Sequence, residues 1–420
     1  MEINLNSESN VKEKKERVQG AKLWQVVLLM LLSAVLAAVI VIAVLISGKT
    51  QYAIVDTADG SDASRISALL KAIDKYYYFA DEAPSNEELL DFASHEIVNQ
   101  LGDPYTSYFT DEEYEAFRNQ INGNYKGIGV LVSFVEGKGL KVERCYEDNP
   151  AYNAGVRNGD IITKADDVDL APLDINSANE YLKGEDGTIV KLTVLRDGKE
   201  MEFSVKRGDV AVKRVYTEML ENNIGYLRIE SFTGGAEEEF DKALDGLLTS
   251  GIKSLIIDLR NNPGGYLDCV VKICDRILPE CNITTIEGNM SQKPVVYSST
   301  ADEELSIPFA VLVNENSASA SEIFASAVQD NNAGQIIGTN TFGKGIVQSN
   351  LDFANGMGHL KMTTDVYRTP AGNLIHGIGV APDIEVIQAE ELKLLDPYFI
   401  MKDYRDKDLV LKAAIDFLMK

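Results

Sequence analysis

Three serines in one short segment give the first indication of chemistry in this sequence. Ser317, Ser319 and Ser321 lie within Asn314–Glu322, between a predicted strand and a predicted helix. A serine at such a junction exposes its hydroxyl, and the free N–H groups of the first helical turn can hold an oxyanion. A simpler interpretation competes, because Ser319 with Glu322 three residues later also fits a capping box. The spacing alone does not show whether Ser319 caps the helix or takes part in acyl transfer. It also does not show which of the three serines would be the nucleophile.

A lysine between two glycines supplies a candidate base. Lys344 lies in the segment Thr341–Gln348, which holds no other charged residue and follows a predicted strand. Burial would lower the pKa of this amine, and a neutral amine can accept a proton from a serine. Gln348 could then hold the amine through its side-chain carbonyl, whereas the alternative is a loop lysine whose ammonium reaches solvent. A phosphate-binding P-loop is excluded, because the segment lacks the upstream Gly and the following Ser or Thr.

A third segment, Asp258–Gly265, also follows a predicted strand. The pair Gly264–Gly265 lets a backbone N–H approach a neighbour closely, because no Cβ obstructs it. In an open α/β sheet, sites form at the carboxyl ends of the strands. We therefore expect this segment to meet the serine segment at one edge of a sheet.

The elements that would position these segments alternate along residues 208–390. Strands are predicted at Ile224–Ile229, Leu255–Leu259, Ala310–Val313 and Gln335–Gly338, with helices at Ala236–Leu248, Leu267–Leu278 and Ala320–Val328. Such alternation predicts an α/β core with a mostly parallel sheet and flanking helices. Residues 391–420 are predicted to form a C-terminal helical segment.

The chain before this core divides into two further units. Residues 65–122 carry apolar residues at helical spacing and predict an N-terminal helical subdomain. Residues 123–207 carry short β-type runs separated by Gly, Asn and Asp turns, with one short helix at Ser177–Leu182, and predict a small β-rich domain.

The N-terminus predicts a membrane anchor. Residues 23–48 hold no charge and exceed the about 20 residues that a helix needs to cross a bilayer, which is too long for a secretory signal. Five basic residues precede this span, namely Lys12, Lys14, Lys15, Arg17 and Lys22. The positive-inside rule places residues 1–22 in the cytoplasm as a tail, so the linker 49–64 and everything after it lie outside.

Composition narrows the class of protein. The 420 residues carry 40 Lys and Arg against 65 Asp and Glu, a formal charge of -25, and such a surface repels the phosphate backbone of nucleic acids. Only three His are present and no His-Glu-x-x-His motif occurs, which argues against a metallopeptidase. Cys269, Cys274 and Cys281 flank one predicted helix and are interpreted as core residues rather than metal ligands, so a metallo- or cysteine peptidase is a weak alternative.

In combination, these segments resemble the carboxy-terminal processing peptidases, serine peptidases of family S41 that use a Ser–Lys dyad and carry an inserted PDZ domain. The matching pieces follow the family's order: Gly102–Phe109, Gly127–Val130, Asn149–Val156 with Gly159–Ile162, Tyr226–Phe232, Asp258–Gly265, Ser317–Ile323 and Thr341–Gln348. Any one piece is moderately specific, but the ordered set is very specific.

The resemblance implies a role for each candidate residue. It makes Ser319 the nucleophile, Lys344 the general base and Gln348 its orienting partner, with the N–H groups of Ala320 and Gly264 as oxyanion donors. It assigns residues 123–207 to the PDZ domain and residues 208–390 to the peptidase core. The carboxylate-binding loop of the PDZ domain is then Gly127, Ile128, Gly129 and Val130.

We therefore expect a bacterial endopeptidase that is anchored in the plasma membrane and has its catalytic part outside the cytoplasm. Its PDZ domain would recognise free protein C-termini, because backbone N–H groups can grip a carboxylate while the peptide adds to the sheet edge. No cofactor or metal is expected, and a homodimer through the terminal helices is possible. The alternative is a non-catalytic PDZ scaffold that binds C-terminal tails.

Overall fold

The computed structural model describes residues 60–122, 125–210, 212–300, 304–393 and 395–420. The predicted cytoplasmic tail and transmembrane helix lie outside these ranges, as does most of the linker. Within the described ranges, no helix is both long and apolar enough to span a bilayer.

Residues 60–122 are mostly helical, and they also contribute one strand to an antiparallel sheet of the core. Their elements are α1 (Gly60–Tyr76), α2 (Asn86–Asn99), β1 (Ser107–Phe109) and α3 (Asp111–Asn122). Helix α2 begins at a capping box: Ser85 Oγ accepts the Glu88 N–H at 3.2 Å, and Glu88 Oε2 accepts the Ser85 N–H at 2.7 Å.

The following residues form the β-rich domain that the sequence predicts. Its elements are β2 (Tyr125–Gly127), β3 (Val130–Val135), β4 (Gly139–Cys145), α4 (Pro150–Ala154), β5 (Ile161–Ala165), β6 (Val168–Asp169), α5 (Ile175–Glu180), β7 (Ile189–Arg196), β8 (Lys199–Lys206) and β9 (Gly208–Val210). The main sheet has the order β3-β4-β5-β7-β8, so β3 is an edge strand. Strands β2 and β9 pair with each other where the chain enters and leaves the domain.

The remaining residues form the α/β core and its C-terminal helices. The elements are β10 (Val215–Met219), β11 (Ile224–Ile229), α6 (Ala236–Thr249), β12 (Ser254–Asp258), α7 (Leu267–Asp275), β13 (Asn282–Gly288), β14 (Val295–Ser298), β15 (Phe309–Val313), α8 (Ala320–Asp330), β16 (Gln335–Gly338), β17 (Ile346–Asp352), β18 (His359–Arg368), β19 (Ile384–Glu385), α9 (Pro397–Asp403) and α10 (Leu409–Leu418).

The central sheet has the order β10-β11-β12-β15-β16-β19. Strands β11, β12, β15, β16 and β19 pair in parallel, and β10 joins the edge of the sheet in the antiparallel direction. Leu255 and Ile257 face the cluster formed with α6, α7 and α8, whereas Ile256 faces the cluster formed with α10. Helices therefore cover both faces, which explains why β11, β12 and β15 are buried along their whole length.

A second, antiparallel sheet was not predicted. It contains β1, β18, β13 and β14 in that order, with β17 paired to β18. Residues of β18 are mostly half-buried, without a regular alternation of buried and exposed positions. This sheet matters for the site, because it connects β1 of the N-terminal subdomain to β17, which follows Lys344.

Candidate active site

Ser319 lies at the turn between β15 and α8, at the carboxyl edge of the central sheet. Its backbone has φ 55° and ψ −113°, a conformation that residues other than glycine rarely adopt. Such strain persists only where surrounding contacts impose it, and it is common at functional sites. The Ser319 side chain is half-buried, so solvent reaches the nucleophile candidate.

The two neighbouring serines have structural contacts instead. Ser317 and Ser321 are fully buried. The Ser317 hydroxyl donates to the carbonyl of Leu259 at 2.8 Å, and the Ser321 hydroxyl donates to the carbonyl of Asn262 at 2.9 Å. Both therefore tie the serine segment to the Asp258–Gly265 segment, which leaves Ser319 as the accessible serine of the three.

Glu322 holds the serine segment against the lysine segment. Its carboxylate is fully buried and accepts four hydrogen bonds. Oε2 accepts the N–H groups of Ser319 and Lys344, each at 2.8 Å. Oε1 accepts the Thr341 hydroxyl at 2.6 Å and the Gly343 N–H at 2.7 Å. The glutamate that the sequence offers as a cap partner of Ser319 therefore also fixes the loop of Lys344.

A buried tyrosine provides a second connection between the two segments. The Tyr367 hydroxyl lies 2.7 Å from the carbonyl oxygen of Lys344 and 3.1 Å from that of Ser319. Burial raises the pKa of this phenol well above its ordinary value. Tyr367 lies on β18, so the antiparallel sheet takes part in assembling the site.

The Lys344 side chain is half-buried, and its Nζ lies 4.4 Å from the centroid of the Tyr105 ring. Burial lowers the pKa of Lys344, and the positive charge of Lys361 lowers it further. The carboxylates of Asp103 and Glu322 oppose this shift. In the part of the chain that the structure describes, no hydrogen bond joins Lys344 Nζ to Ser319.

Gln348 lies on β17, opposite Thr363 of β18. Its side-chain amide donates to the Thr363 hydroxyl at 3.4 Å. Among the hydrogen bonds of the described residues, none joins the Gln348 carbonyl to the Lys344 amine, so the orienting role of Gln348 stays a prediction.

The candidate oxyanion donors lie against Ser319. A Cβ on Gly264 would lie 2.8 Å from Ser319 Cβ and 2.9 Å from the Ala320 nitrogen, so the two segments are in contact. Ala320 is the first residue of α8, where N–H groups have no partner within the helix. The Gly264 N–H, by contrast, donates to Asn262 Oδ1 at 2.9 Å.

The predicted carboxylate loop lies where β2 ends and β3 begins. Gly127, Ile128 and Gly129 are buried, and Val130 is the first residue of the edge strand β3. The carbonyl of Ile128 accepts the Ala151 N–H at 2.7 Å, which fixes the loop on α4. Gly129 has φ 77°, and a Cβ there would lie 2.5 Å from Asn149 Cβ, so only glycine fits.

Comparison with known proteins identifies the family. Residues 223–386 match the model of peptidase family S41, and residues 126–206 match that of the PDZ domain. A probable CtpA-like serine protease of Staphylococcus haemolyticus (strain JCSC1435) is 31% identical over 385 residues, covering 91% of this chain and 76% of that protein. The chain belongs to peptidase family S41. This S41 peptidase is a serine peptidase of the C-terminal processing type.

Further matches agree with this assignment. A probable CtpA-like serine protease of Staphylococcus aureus (strain COL) is 30% identical over 387 residues, covering 92% of this chain and 77% of that protein. The photosystem II D1 C-terminal processing protease superposes with a TM-score of 0.50 and 25% identity, covering 78% of this chain and 93% of that chain. A putative S41 protease from Bacteroides fragilis shares the fold, with a TM-score of 0.55, 15% identity, and coverage of 83% and 96% of the two chains.

The cysteines of this S41 peptidase occupy the packed interior. Cys269 and Cys274 belong to the hydrophobic cluster beneath α7, and both are free thiols. Burial raises the pKa of Cys269 to about 12 and that of Cys145 to about 11. Such thiols are poor nucleophiles at neutral pH.

Proposed function

We propose that this S41 peptidase is a membrane-anchored, extracytoplasmic serine endopeptidase that recognises protein C-termini and cleaves by a Ser–Lys acyl-enzyme mechanism. One observation carries the proposal: a single buried carboxylate, that of Glu322, binds the backbone N–H groups of both Ser319 and Lys344. A strained, accessible serine is thereby held beside a lysine whose pKa is lowered chiefly by burial. These are the two groups that a Ser–Lys dyad needs.

The first half of the reaction forms an ester. Ser319 Oγ attacks the carbonyl carbon of the substrate while neutral Lys344 Nζ takes the hydroxyl proton. The Ala320 N–H stabilises the oxyanion that develops, and the Gly264 N–H becomes a second donor once it leaves Asn262. Collapse of the tetrahedral intermediate breaks the C–N bond, and the Lys344 ammonium returns the proton to the leaving amine.

Hydrolysis of the ester completes the cycle. Lys344 Nζ, neutral again, takes a proton from water as the oxygen attacks the ester carbonyl. The second tetrahedral intermediate expels Ser319 Oγ, which recovers its proton from Lys344, and the product leaves as a carboxylic acid. The family resemblance makes Gln348 the residue proposed to orient the amine during these steps, once its side chain leaves Thr363.

The PDZ domain is proposed to deliver the substrate. Strand β3 lies at the edge of its sheet, so an extended peptide can add to it as a further strand. The loop Gly127–Val130 stands at the start of that strand, where successive backbone N–H groups can bind the terminal carboxylate. A protein with a free C-terminus is therefore the proposed substrate class.

The proposed location depends on the N-terminal sequence. The uncharged span 23–48, preceded by five basic residues, supports a single-pass plasma-membrane anchor with its N-terminus in the cytoplasm. Everything after the span, including Ser319 and Lys344, is then extracytoplasmic. A homodimer through the terminal helices stays a prediction.

Cleavage of a defined substrate tests this function. The detergent-solubilised full chain and its Ser319→Ala and Lys344→Met variants are incubated with an unstructured protein that ends in an apolar tail. The same protein with an amidated C-terminus serves as the matched control. We expect cleavage by the wild type alone, slowed at least tenfold by amidation. Cleavage by either variant would contradict the assigned dyad, and tail-dependent binding without cleavage would favour a PDZ scaffold.

A further inference from the structure

The segment Gly102–Phe109 has no role in the mechanism above, although it stands out in the sequence. The structure places it against the candidate base. Strand β1 pairs with β18, with Ser107 opposite Lys361. The turn before β1 is thereby brought to the Lys344 side chain, and its Tyr105 ring lies 4.4 Å from Lys344 Nζ.

Hydrogen bonds give this turn one conformation. Asp103 Oδ1 accepts the Tyr105 N–H at 3.0 Å, and Asp103 Oδ2 accepts the Thr106 hydroxyl at 2.6 Å. Thr106 Oγ1 in turn accepts the Thr363 N–H of β18 at 3.0 Å. The Tyr105 side chain therefore leaves a turn that is attached to the antiparallel sheet, and its ring is not an accidental neighbour of the amine.

A second amine, that of Lys361, lies next to this turn, because Lys361 pairs with Ser107, two residues after Tyr105. Lys361 lies on β18 with its Nζ 4.8 Å from the centroid of the Phe117 ring, and its side chain is half-buried. Burial lowers the pKa of Lys361, and Asp103 opposes the shift. The charged or titratable groups that face Lys344 are thus Asp103 and Tyr105 from the turn, Lys361 from β18 and Glu322 from α8.

We propose that Tyr105 is a positioning residue for Lys344: the face of its ring holds the ammonium away from Ser319, and Lys361 on the adjacent strand limits how firmly the ammonium is held. This inference rests on the proposed Ser–Lys mechanism. An aromatic face attracts a cation but gives little to a neutral amine. Loss of the proton therefore frees the amine from the ring, and the free amine is the form that can act as a base on Ser319.

Tyr105 and Lys361 shift the pKa of the Lys344 amine in opposite directions. Removing the ring removes a preference for the ammonium, so the midpoint of the Lys344 titration should fall. Removing the charge of Lys361 removes a repulsion, so the same midpoint should rise. A loss of structure alone would not move the midpoint down in one variant and up in the other.

The test measures the protonation of Lys344 directly. Full-length protein labelled with ¹³C at lysine Cε is titrated by NMR, with Lys344→Met assigning the resonance. We expect Tyr105→Leu to lower the midpoint by about one pH unit, and Lys361→Met to raise it by about half a unit or more. Tyr105→Phe keeps the ring and should stay within about 0.3 units of the wild type.

The pH profile of Ser319 labelling by a fluorophosphonate provides the second measurement, and its acidic limb should shift in the same directions. Equal midpoints in Tyr105→Leu and Tyr105→Phe, or a rise in Tyr105→Leu, would overturn the inference. If Tyr105→Leu fails to fold, Lys361→Met still decides, because an unchanged or lowered midpoint there also overturns it. Since the NMR titration needs no turnover, an inactive wild type would refute the proposed function separately.

Discussion

Oε2 of Glu322 accepts the backbone N–H of Lys344 at 2.8 Å, inside the protein and away from solvent. The same oxygen accepts the N–H of Ser319, 25 residues earlier in the chain. The relative position of the two candidate catalytic residues is therefore set through a third side chain rather than through a direct contact.

Replacement of Glu322 by Gln should impair both folding and catalysis. The amide has one acceptor oxygen, so its NH₂ group would face donors that now bind a carboxylate. Each buried donor left without a partner costs about 1–3 kcal/mol, and we expect a loss of at least about 2 kcal/mol in urea unfolding. Activity per folded molecule should fall at least tenfold. Unchanged activity would show that the carboxylate does not position the dyad; Glu315→Gln, on the exposed part of the same loop, is the control.

The pH dependence of cleavage should follow Lys344. The amine acts as a base only when neutral, and burial together with Lys361 holds its pKa below the ordinary value. As the pH falls through this pKa the amine gains a proton, so kcat/KM should decrease on the acidic side and level off above it. Lys344→Arg keeps the charge but is not neutral at any usable pH, and should be inactive throughout. A flat profile in the wild type would exclude Lys344 as the base.

An alanine at Gly264 should disturb the nucleophile directly. Gly264 has φ 101°, and a Cβ would lie 2.7 Å from the carbonyl oxygen of Ala318 and 2.8 Å from Ser319 Cβ. We expect kcat to fall by at least about tenfold, because an oxyanion site tolerates little displacement. Gly235→Ala is the matched control, since it has φ 82° and no atom within 4 Å of the new Cβ. If both substitutions lowered kcat equally, backbone strain alone would explain the loss of activity.

Asp408, the N-cap residue of α10, should stabilise the segment that carries Gly264. It forms two hydrogen bonds of 2.9 Å with the Arg260 guanidinium, and Arg260 also pairs with Asp258. All three side chains are buried. Removing one partner of a buried pair costs about 3–5 kcal/mol, so Asp408→Asn should lower the free energy of unfolding by about that amount. The exposed Asp406→Asn should change it by less than about 0.5 kcal/mol.

The same network predicts a pH window for stability. Burial opposes ionisation of Asp258, but the Arg260 guanidinium holds the pKa of this carboxylate below its ordinary value. The contribution of Asp258 to the free energy of unfolding is therefore complete above the unfolded-state pKa of about 3.9. It is lost as the pH falls through the lower folded-state pKa. The free energy of unfolding in urea should therefore lose nothing through Asp258 between about pH 7 and 5. The loss should begin below about pH 4.

Arg144 should hold the PDZ domain against the core. Its buried guanidinium pairs with Glu230 at the end of β11 and lies 4.9 Å from the centroid of Tyr216 and 4.2 Å from that of Tyr398. Arg144→Gln should free the domain, which small-angle scattering would record as an increased radius of gyration. Arg157→Gln, whose guanidinium stacks on Tyr152 within the PDZ domain, should leave the scattering unchanged. Identical curves for Arg144→Gln and the wild type would contradict this role.

Local sequence patterns predicted the central sheet well. Strands β11 and β16 have the predicted bounds, and α6 and α8 begin at the predicted residues. Buried strands are continuous apolar runs, and amphipathic helices repeat every three to four residues, so both are visible in sequence alone. The antiparallel sheet was missed because its strands pair across long stretches of chain, as β1 does with β18, and no local pattern reveals such pairing.

The candidate site was predicted only in part. Lys344 and the pair Gly264–Gly265 could be named from their segments, but Ser319 was chosen among the three serines only through the family resemblance. Glu322 was noticed as a possible cap partner of Ser319. Its bonds to Thr341, Gly343 and Lys344 join residues 19, 21 and 22 positions apart, a relationship that no local pattern reveals. Tyr105 and Tyr367 reach the site through pairing in the unpredicted sheet, so nothing near them in sequence pointed to Lys344.

The sequence by itself determined which chemistry is available: a serine at a strand–helix junction, a lysine between glycines, and the ordered segments of family S41. It did so because residue type and short-range spacing control local backbone conformation and reactivity. The tertiary structure decided which of the three serines is accessible, and that one buried carboxylate connects Ser319 to Lys344. It also placed the amine on the Tyr105 ring, because burial and long-range pairing depend on segments that are distant along the chain.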